Sequence, residues 1–171
     1  MKELEKRKTI SLVQIGLMSA IVYIATAIIY IPSITGKGVI HLGDSAVLIS
    51  AILLGRKKGA ISSAIGMSLF DILSSYTIWS PFTFVIKGLM AYIAATIAYR
   101  GNFQGKNLLN NIFGCILASI VMIIGYFFTG WILYGFPAAV AGIPGNIAQA
   151  LAGTIIAVPL SMVLKKHIKI N

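Results

Sequence analysis

Long apolar segments separated by short basic clusters constrain this chain more than any other feature of its sequence. The first segment, Thr9 to Ile31, is long enough to cross a bilayer, because a helix rises about 1.5 Å per residue and the hydrocarbon core is about 30 Å thick. Of the 171 residues, 58% are hydrophobic and 11% are charged, whereas a soluble domain has about 25% charged residues. The sequence therefore predicts an all-α membrane protein.

The spacing of the apolar segments predicts six transmembrane helices in a single domain, residues 1–171. Met1–Lys8 is predicted as a charged tail, Ser33–His41 as a loop dipping into the membrane, Gly55–Gly59 as a tight basic turn and Gly135–Gly145 as a loop. The predicted helices are Thr9–Ile31, Leu42–Leu54, Ala60–Ser75, Pro81–Tyr99, Leu108–Tyr134 and a sixth that follows Gly145 and ends near Leu164. Of these, Leu42–Leu54 is short, at about 20 Å.

The distribution of Lys and Arg predicts the orientation. With the N-terminus inside, the two tails and the second and fourth loops hold twelve basic residues, whereas the other loops hold only Lys37. Such a bias places both termini in the cytoplasm. The net charge of +10 is therefore explained by topology and lipid headgroups, and no nucleic-acid partner is expected.

Three charged residues inside the apolar segments indicate a functional site. Asp44, Asp71 and Lys87 lie 11, 12 and 13 residues from the nearest cytoplasmic loop, so all three are about 17–20 Å above the inner boundary. Ionisable groups at that depth are costly unless paired or hydrated. One interpretation is a ligand cavity. The alternative is that Asp71 and Lys87 pair to lock two helices while Asp44 caps its own helix, and the two can coexist.

Further polar and aromatic residues are expected near the same level. Asn146 and Gln149 are spaced i,i+3 and share a helix face, where they could bind a ligand or another helix. His41 could bond a ligand or lie at the water boundary. The remaining candidates are aromatic residues that could stack on a flat ring or anchor the protein at the interface: Tyr76, Trp79 and Tyr126.

A small-residue surface on the first helix is a candidate partner interface. Gly16 and Ala20 are spaced i,i+4, with Ser19 beside them. Small residues at this spacing let another helix approach closely, either within the protein or from a partner.

The sequence lacks the motifs of the common enzyme classes. It has no G-x-x-x-x-G-K-[ST] phosphate loop, no H-E-x-x-H, no Cys/His cluster and no plausible nucleophile–base pair. The single cysteine, Cys115, is interpreted as a small core hydrophobe. We therefore expect no catalytic residue, no metal site and no cofactor.

The run from His41 through Asp44 to the Gly55–Ala60 turn, followed by Asp71 and Pro81–Gly88, resembles a known family. It is similar to the substrate-binding S component of energy-coupling factor (ECF) vitamin transporters, in the subgroup for riboflavin-, hydroxymethylpyrimidine- or pyridoxine-type substrates. The resemblance covers essentially the whole chain, together with the six short helices and the small-residue surface.

The resemblance implies a subunit of the bacterial cell membrane that binds a water-soluble vitamin from outside with high affinity. Its partners would be a transmembrane coupling protein and two cytoplasmic ATPases, with ATP hydrolysis toppling the S component. The family's Ala-x-x-x-Ala surface for the coupling protein matches here as Gly16 and Ala20, and Pro32–His41 would form a lid.

The identity of the substrate is indicated less directly than the family. Two aspartates and one lysine sum to about −1, which favours a neutral or cationic ligand. We expect a pyridoxine-type vitamin or hydroxymethylpyrimidine, with riboflavin next. The ligand would donate hydrogen bonds to Asp44 and Asp71. Lys87 would donate to a ligand hydroxyl or orient an aspartate, and the amides of Asn146 and Gln149 would hydrogen-bond the opposite edge of the ring. The competing classes are a self-sufficient proton- or ion-coupled carrier and a purely structural membrane subunit.

Overall fold

A computed structural model of the protein describes residues 2–32 and 39–167. Within them the chain forms six α-helices, a small β-hairpin and two short 3-10 helices, Thr77–Trp79 and Arg100–Asn102. The helices are α1 Lys2–Ile28, α2 Gly43–Leu54, α3 Arg56–Leu73, α4 Ser80–Ala98, α5 Leu108–Tyr134 and α6 Phe136–His167. The hairpin pairs β1, Tyr30–Pro32, with β2, Val39–His41, in antiparallel register. The prediction of an all-α membrane fold with six helices is confirmed.

Helix α2 lies at the centre of the bundle. It has 12 residues, of which only Ile49 and Leu54 are not buried, and it packs against α1, α3, α4 and α6. In the described part, four helical segments are long and apolar enough to cross a membrane: α1, α4 with the preceding 3-10 turn, α5 and α6. The long helices and α3 therefore shield α2 from lipid.

Two glycines let α3 approach its neighbours closely. A Cβ atom on Gly59 would lie 2.8 Å from the Cα of Ala51 in α2, and one on Gly66 would lie 2.5 Å from the backbone oxygen of Ser19 in α1. Either contact is too short for a side chain. The resulting contact brings the polar residues of α2 and α3 into one interior.

The basic end of the bundle is held by side-chain hydrogen bonds. Lys58 Nζ donates to Gln14 Oε1 at 2.7 Å. The Tyr99 hydroxyl donates to the backbone oxygen of Ile52 at 3.1 Å, and Lys165 Nζ donates to that hydroxyl at 3.0 Å. These contacts bring the ends of α2, α4 and α6 together on the side predicted to be cytoplasmic.

Several predicted boundaries are wrong. Gly135–Gly145 is not a loop, because α6 begins at Phe136 and continues through Pro144; a proline inside a membrane helix is tolerated when neighbouring helices surround it. Helix α3 begins at Arg56, since Gly55 alone makes the turn with φ of +79°. The charged tail is helical from Lys2.

The predicted loop Ser33–His41 is only partly described. The structure places Val39–His41 in β2, a strand that the sequence did not predict. The short hairpin has too few residues for a recognisable alternation. Residues 33–38, which form most of the predicted lid, lie outside the described residues.

Candidate functional site

A buried ion pair lies at the centre of the polar cluster. Asp44 is in the first turn of α2 and Lys87 is in α4; both side chains are fully buried, and Lys87 Nζ donates to Asp44 Oδ1. The residue that caps α2 is Leu42, without a side-chain hydrogen bond. The alternative prediction, with Asp71 paired to Lys87 and Asp44 as a cap, is therefore wrong on both points.

Gln149 connects this ion pair to the hairpin. Its Nε2 donates to Asp44 Oδ2 at 3.0 Å, and its Oε1 accepts a hydrogen bond from the backbone N–H of His41 at 3.0 Å. One turn further along α6, Gly153 packs against the same aspartate, since a Cβ there would lie 3.0 Å from the Asp44 Cβ. Both oxygens of Asp44 are thus occupied by donors from two different helices.

A second group of polar side chains surrounds Asp71. The Thr83 side chain lies close enough to Asp71 to act on its carboxylate, and the Tyr126 hydroxyl donates to Thr83 Oγ1 at 3.3 Å. Thr83 and Lys87 are spaced i,i+4 and share a face of α4, and Lys87 Nζ lies 5.0 Å from the centroid of the Tyr126 ring. The α4 face therefore joins the two aspartates into one cluster.

Aromatic rings border both parts of the cluster. Trp79 lies 5.9 Å from Tyr126 and 5.7 Å from Tyr134, measured between ring centroids. In a second aromatic group, Phe70 stacks on Tyr76 at 6.4 Å and meets the His41 ring edge-on at 6.1 Å. The predicted aromatic residues Tyr76, Trp79 and Tyr126 therefore all lie beside the polar cluster or one ring away from it.

His41 is almost completely buried, and its Nδ1 has no hydrogen-bond partner among the described residues. Burial is the main cause that lowers the pKa of His41 from 6.5 to about 4, and the positive charge of Lys87 lowers it further while Asp44 opposes this. The imidazole is therefore neutral at physiological pH and offers a nitrogen lone pair or an N–H.

Two predicted positions differ from the rest. Asn146 is only half-buried and is not one of the side chains that hydrogen-bond Asp44 in the described part of the chain. Ser19 is buried, and its hydroxyl bonds the backbone oxygen of Ile15. By contrast, Gly16 and Ala20 are exposed, and no atom of the described residues lies within 4 Å of a Cβ placed on Gly16. Only these two remain available as a partner surface.

Four residues in or beside this cluster were not predicted from the sequence: Thr83, Gly153, Phe70 and Tyr134. A signal existed for Thr83, which precedes Lys87 by one helical turn. Gly153 likewise follows Gln149 by one turn. No comparable spacing indicates Phe70 or Tyr134, because their positions depend on the tertiary packing of α3 and α5.

The arrangement is suited to holding a small polar molecule. Amide, carboxylate, ammonium and imidazole groups lie within one membrane-embedded bundle, with aromatic rings at their border. A buried polar cluster of this kind, among helices long and apolar enough to cross a membrane, is typical of a membrane protein that binds or transports a polar solute.

Comparison with known proteins identifies the family. Residues 6–166 match the model of the family described as "ECF-type riboflavin transporter, S component", and the chain belongs to this family. It is also similar to a solved structure described as "Structure and mechanism of the S component of a bacterial ECF transporter", with a TM-score of 0.75, 21% identity and coverage of 95% of this chain and 99% of the other.

Two curated relatives match most of the chain. One, an uncharacterized protein from Pyrococcus woesei, is 34% identical over 147 residues, which cover 86% of this chain and 96% of the relative. The other is described as "Thiamine precursor transporter HmpT" from Lactococcus lactis subsp. cremoris (strain MG1363); it is 24% identical over 168 residues, 97% of this chain and 94% of the relative.

These findings confirm the predicted family. The chain is the substrate-binding S component of an ECF transporter, a multi-pass membrane protein and not an enzyme. Membership implies a small vitamin substrate, a T component and ATPase partners.

Proposed function

We propose that this S component binds hydroxymethylpyrimidine or a pyridoxine-type vitamin. The observation that carries the proposal is the buried cluster around Asp44. Lys87 neutralises the charge of Asp44 and donates to Oδ1, and Gln149 donates to Oδ2. Because that ion pair has no net charge, Asp71 leaves the cluster with a charge of about −1 when it is ionised. A neutral or cationic ligand is favoured there over a polyanion.

The ring character of the ligand is supported by the aromatic border. The Trp79–Tyr126 pair and the Phe70–Tyr76 stack supply faces on which a flat heteroaromatic ring can pack. The neutral imidazole of His41 and the Tyr126–Thr83 hydroxyl pair can bond hydroxymethyl groups. These groups fit a small hydroxylated pyrimidine or pyridine.

The comparisons favour one member of this class. The Lactococcus lactis relative, described as a thiamine precursor transporter, supports hydroxymethylpyrimidine, the pyrimidine half of thiamine. Riboflavin is the second candidate, because the matching family model carries its name. At 24% identity the relative supports a substrate class. The proposed binding residues rest on the contacts of this chain itself.

We further propose that the exposed Gly16–Ala20 surface of α1 contacts the T component. The absence of atoms within 4 Å of a Gly16 Cβ leaves room for a helix at close range. The buried Ser19 is not part of this surface.

The test is thermal stabilisation of the detergent-purified protein by a vitamin panel: hydroxymethylpyrimidine, pyridoxine, pyridoxamine, thiamin and riboflavin. A ligand at a hundred times its Kd stabilises the folded state by about 2.7 kcal/mol, which raises Tm by roughly 5–11 °C for a chain of this size. We expect hydroxymethylpyrimidine or pyridoxine to give that shift. A shift with riboflavin alone would favour the second candidate, and no shift in a folded sample would contradict both.

The carrier alternative is tested separately. The purified chain in liposomes is expected to take up none of these compounds in response to a pH gradient. Gradient-driven uptake without partners would show that the chain works as an ion-coupled carrier.

A further inference from the structure

The two buried aspartates of the cluster differ in how far their oxygens are satisfied. Asp44 has a donor on each oxygen, Lys87 on Oδ1 and Gln149 on Oδ2. Asp71 is only 5% exposed, yet its Oδ2 has no hydrogen-bond partner in the described part of the chain. Buried carboxylate oxygens without a donor are rare, because each one loses its hydration without compensation.

The hydroxyl groups beside Asp71 are already oriented. Because the Tyr126 hydroxyl donates to Thr83 Oγ1, the single hydroxyl hydrogen of Thr83 remains available to Asp71, which lies beside it. The two hydroxyls can therefore supply Asp71 with at most one hydrogen, and Oδ2 has no donor in the described part of the chain. Lys87 acts on Asp71 through space, but its Nζ is directed at Asp44.

We infer that Asp71, and not Asp44, selects the substrate by accepting a pair of N–H donors from an amino group next to a ring nitrogen. This inference rests on the proposed function and assigns the recognised ring edge to one residue. Asp44 then has a different task, which is to hold Lys87 and Gln149 in place.

The chemistry of hydroxymethylpyrimidine fits this role. Of its two ring nitrogens, one lies next to the amino group. In the bound tautomer in which that nitrogen carries a proton taken from solvent, it and the amino group present two parallel N–H donors, which match the two oxygens of a carboxylate as a guanidinium does. In the oxo analogue, in which oxygen replaces that amino group, the same edge presents one donor and one acceptor. The acceptor would then face a carboxylate oxygen, which is repulsive.

The experiment measures Kd by isothermal titration calorimetry for hydroxymethylpyrimidine and its oxo analogue, on the detergent-purified full chain. We expect the wild-type protein to prefer the amino compound by roughly 10- to 100-fold, as for a hydrogen bond to a charged group. In the Asp71→Asn variant, the amide presents one donor and one acceptor and matches the oxo edge. The preference should disappear or reverse.

Ser63→Ala provides the matched control. Ser63 is also a buried residue of α3 whose side-chain oxygen has no partner among the described residues, so the substitution should leave the ratio of the two Kd values unchanged. A wild-type ratio near one would contradict the inference even if Asp71→Asn does not fold; in that case Asp71→Ser takes its place, and an unchanged preference for the amino compound in that variant would also contradict the inference.

The possible failures are distinguishable. Wild-type protein that binds the amino compound while Asp71→Asn weakens both ligands equally would overturn the inference and leave the proposed function intact. Wild-type protein that binds pyridoxine but neither pyrimidine would overturn the inference alone, and wild-type protein that binds neither pyrimidine nor pyridoxine would overturn both.

Discussion

Replacing Lys87 by methionine tests whether the buried ion pair maintains the fold. The substitution keeps the length and the apolar part of the side chain and removes the ammonium group. Asp44, which is fully buried, would then keep only the Gln149 amide as a donor. Removing one partner of a buried ion pair costs about 3–5 kcal/mol, because the other charge is left uncompensated.

The expected change in melting temperature follows from that energy. For a chain of 150–250 residues, 1 kcal/mol shifts Tm by about 2–4 °C, so Lys87→Met should lower Tm by roughly 6–20 °C. The assay is thermal unfolding of the purified protein in one detergent, without ligand. Lys58→Met is the matched control, since Lys58 is half-buried and its ammonium group donates to the side chain of Gln14; the substitution should cost about 1 kcal/mol.

A double variant separates loss of the ion pair from loss of packing. In Asp44→Asn combined with Lys87→Met, no charge remains to be compensated, so we expect the double variant to recover at least half of the stability that Lys87→Met loses. If Lys87→Met is as stable as Lys58→Met, or if the double variant is no better than Lys87→Met alone, then the ion pair does not contribute as described.

Three further predictions concern the surroundings of the cluster. Gly153→Ala should cost about 1–3 kcal/mol by crowding Asp44, whereas Gly142→Ala, with nothing near its Cβ, should stabilise α6 by up to about 1 kcal/mol; thermal unfolding distinguishes them. Because burial lowers the pKa of His41 to about 4, folding disfavours its protonation. The wild-type protein therefore has its full stability above pH 6.5, and its free energy of unfolding decreases by roughly 3 kcal/mol as the pH falls from 6.5 towards 4. Melting curves of His41→Gln should lack this decrease, and an equal decrease in both proteins would contradict the assignment. Gly16→Leu should prevent co-purification with the T component while ligand binding is retained. The control Gly142→Leu, at a glycine whose Cβ would also meet no described atom within 4 Å, should retain both co-purification and ligand binding; complex formation with Gly16→Leu would exclude this surface.

The sequence was sufficient to predict the membrane fold and the number of helices. Depth follows from counting residues along a helix, so Asp44 and Lys87 could be expected at one level. Counting gives no rotation about the helix axis, however, and rotation decides which aspartate meets Lys87. For this reason the sequence could not distinguish the observed Asp44 pair from the alternative with Asp71.

The start of α6 could not be predicted for another reason. Pro144 and two nearby glycines have the local signature of a loop, but the helix continues through them. Tertiary packing against α5 and α2 outweighs the local preference. The β-hairpin could not be predicted because each of its strands has only three residues, too few to show an alternating pattern.

The central position of α2 also has a consequence for how this protein enters the membrane. At 12 residues, the helix is shorter than the roughly 17–25 residues that a membrane-inserted helix needs, and it carries Asp44 in its first turn. An isolated α2 would therefore be a poor substrate for the insertion machinery. Its stable placement requires α4, which brings Lys87, and α6, which brings Gln149. We therefore expect α2 to be inserted stably only after α6 has been synthesised. In a truncated chain that lacks α6, α2 would be incompletely packed, and we expect membrane quality control to recognise that chain as misfolded.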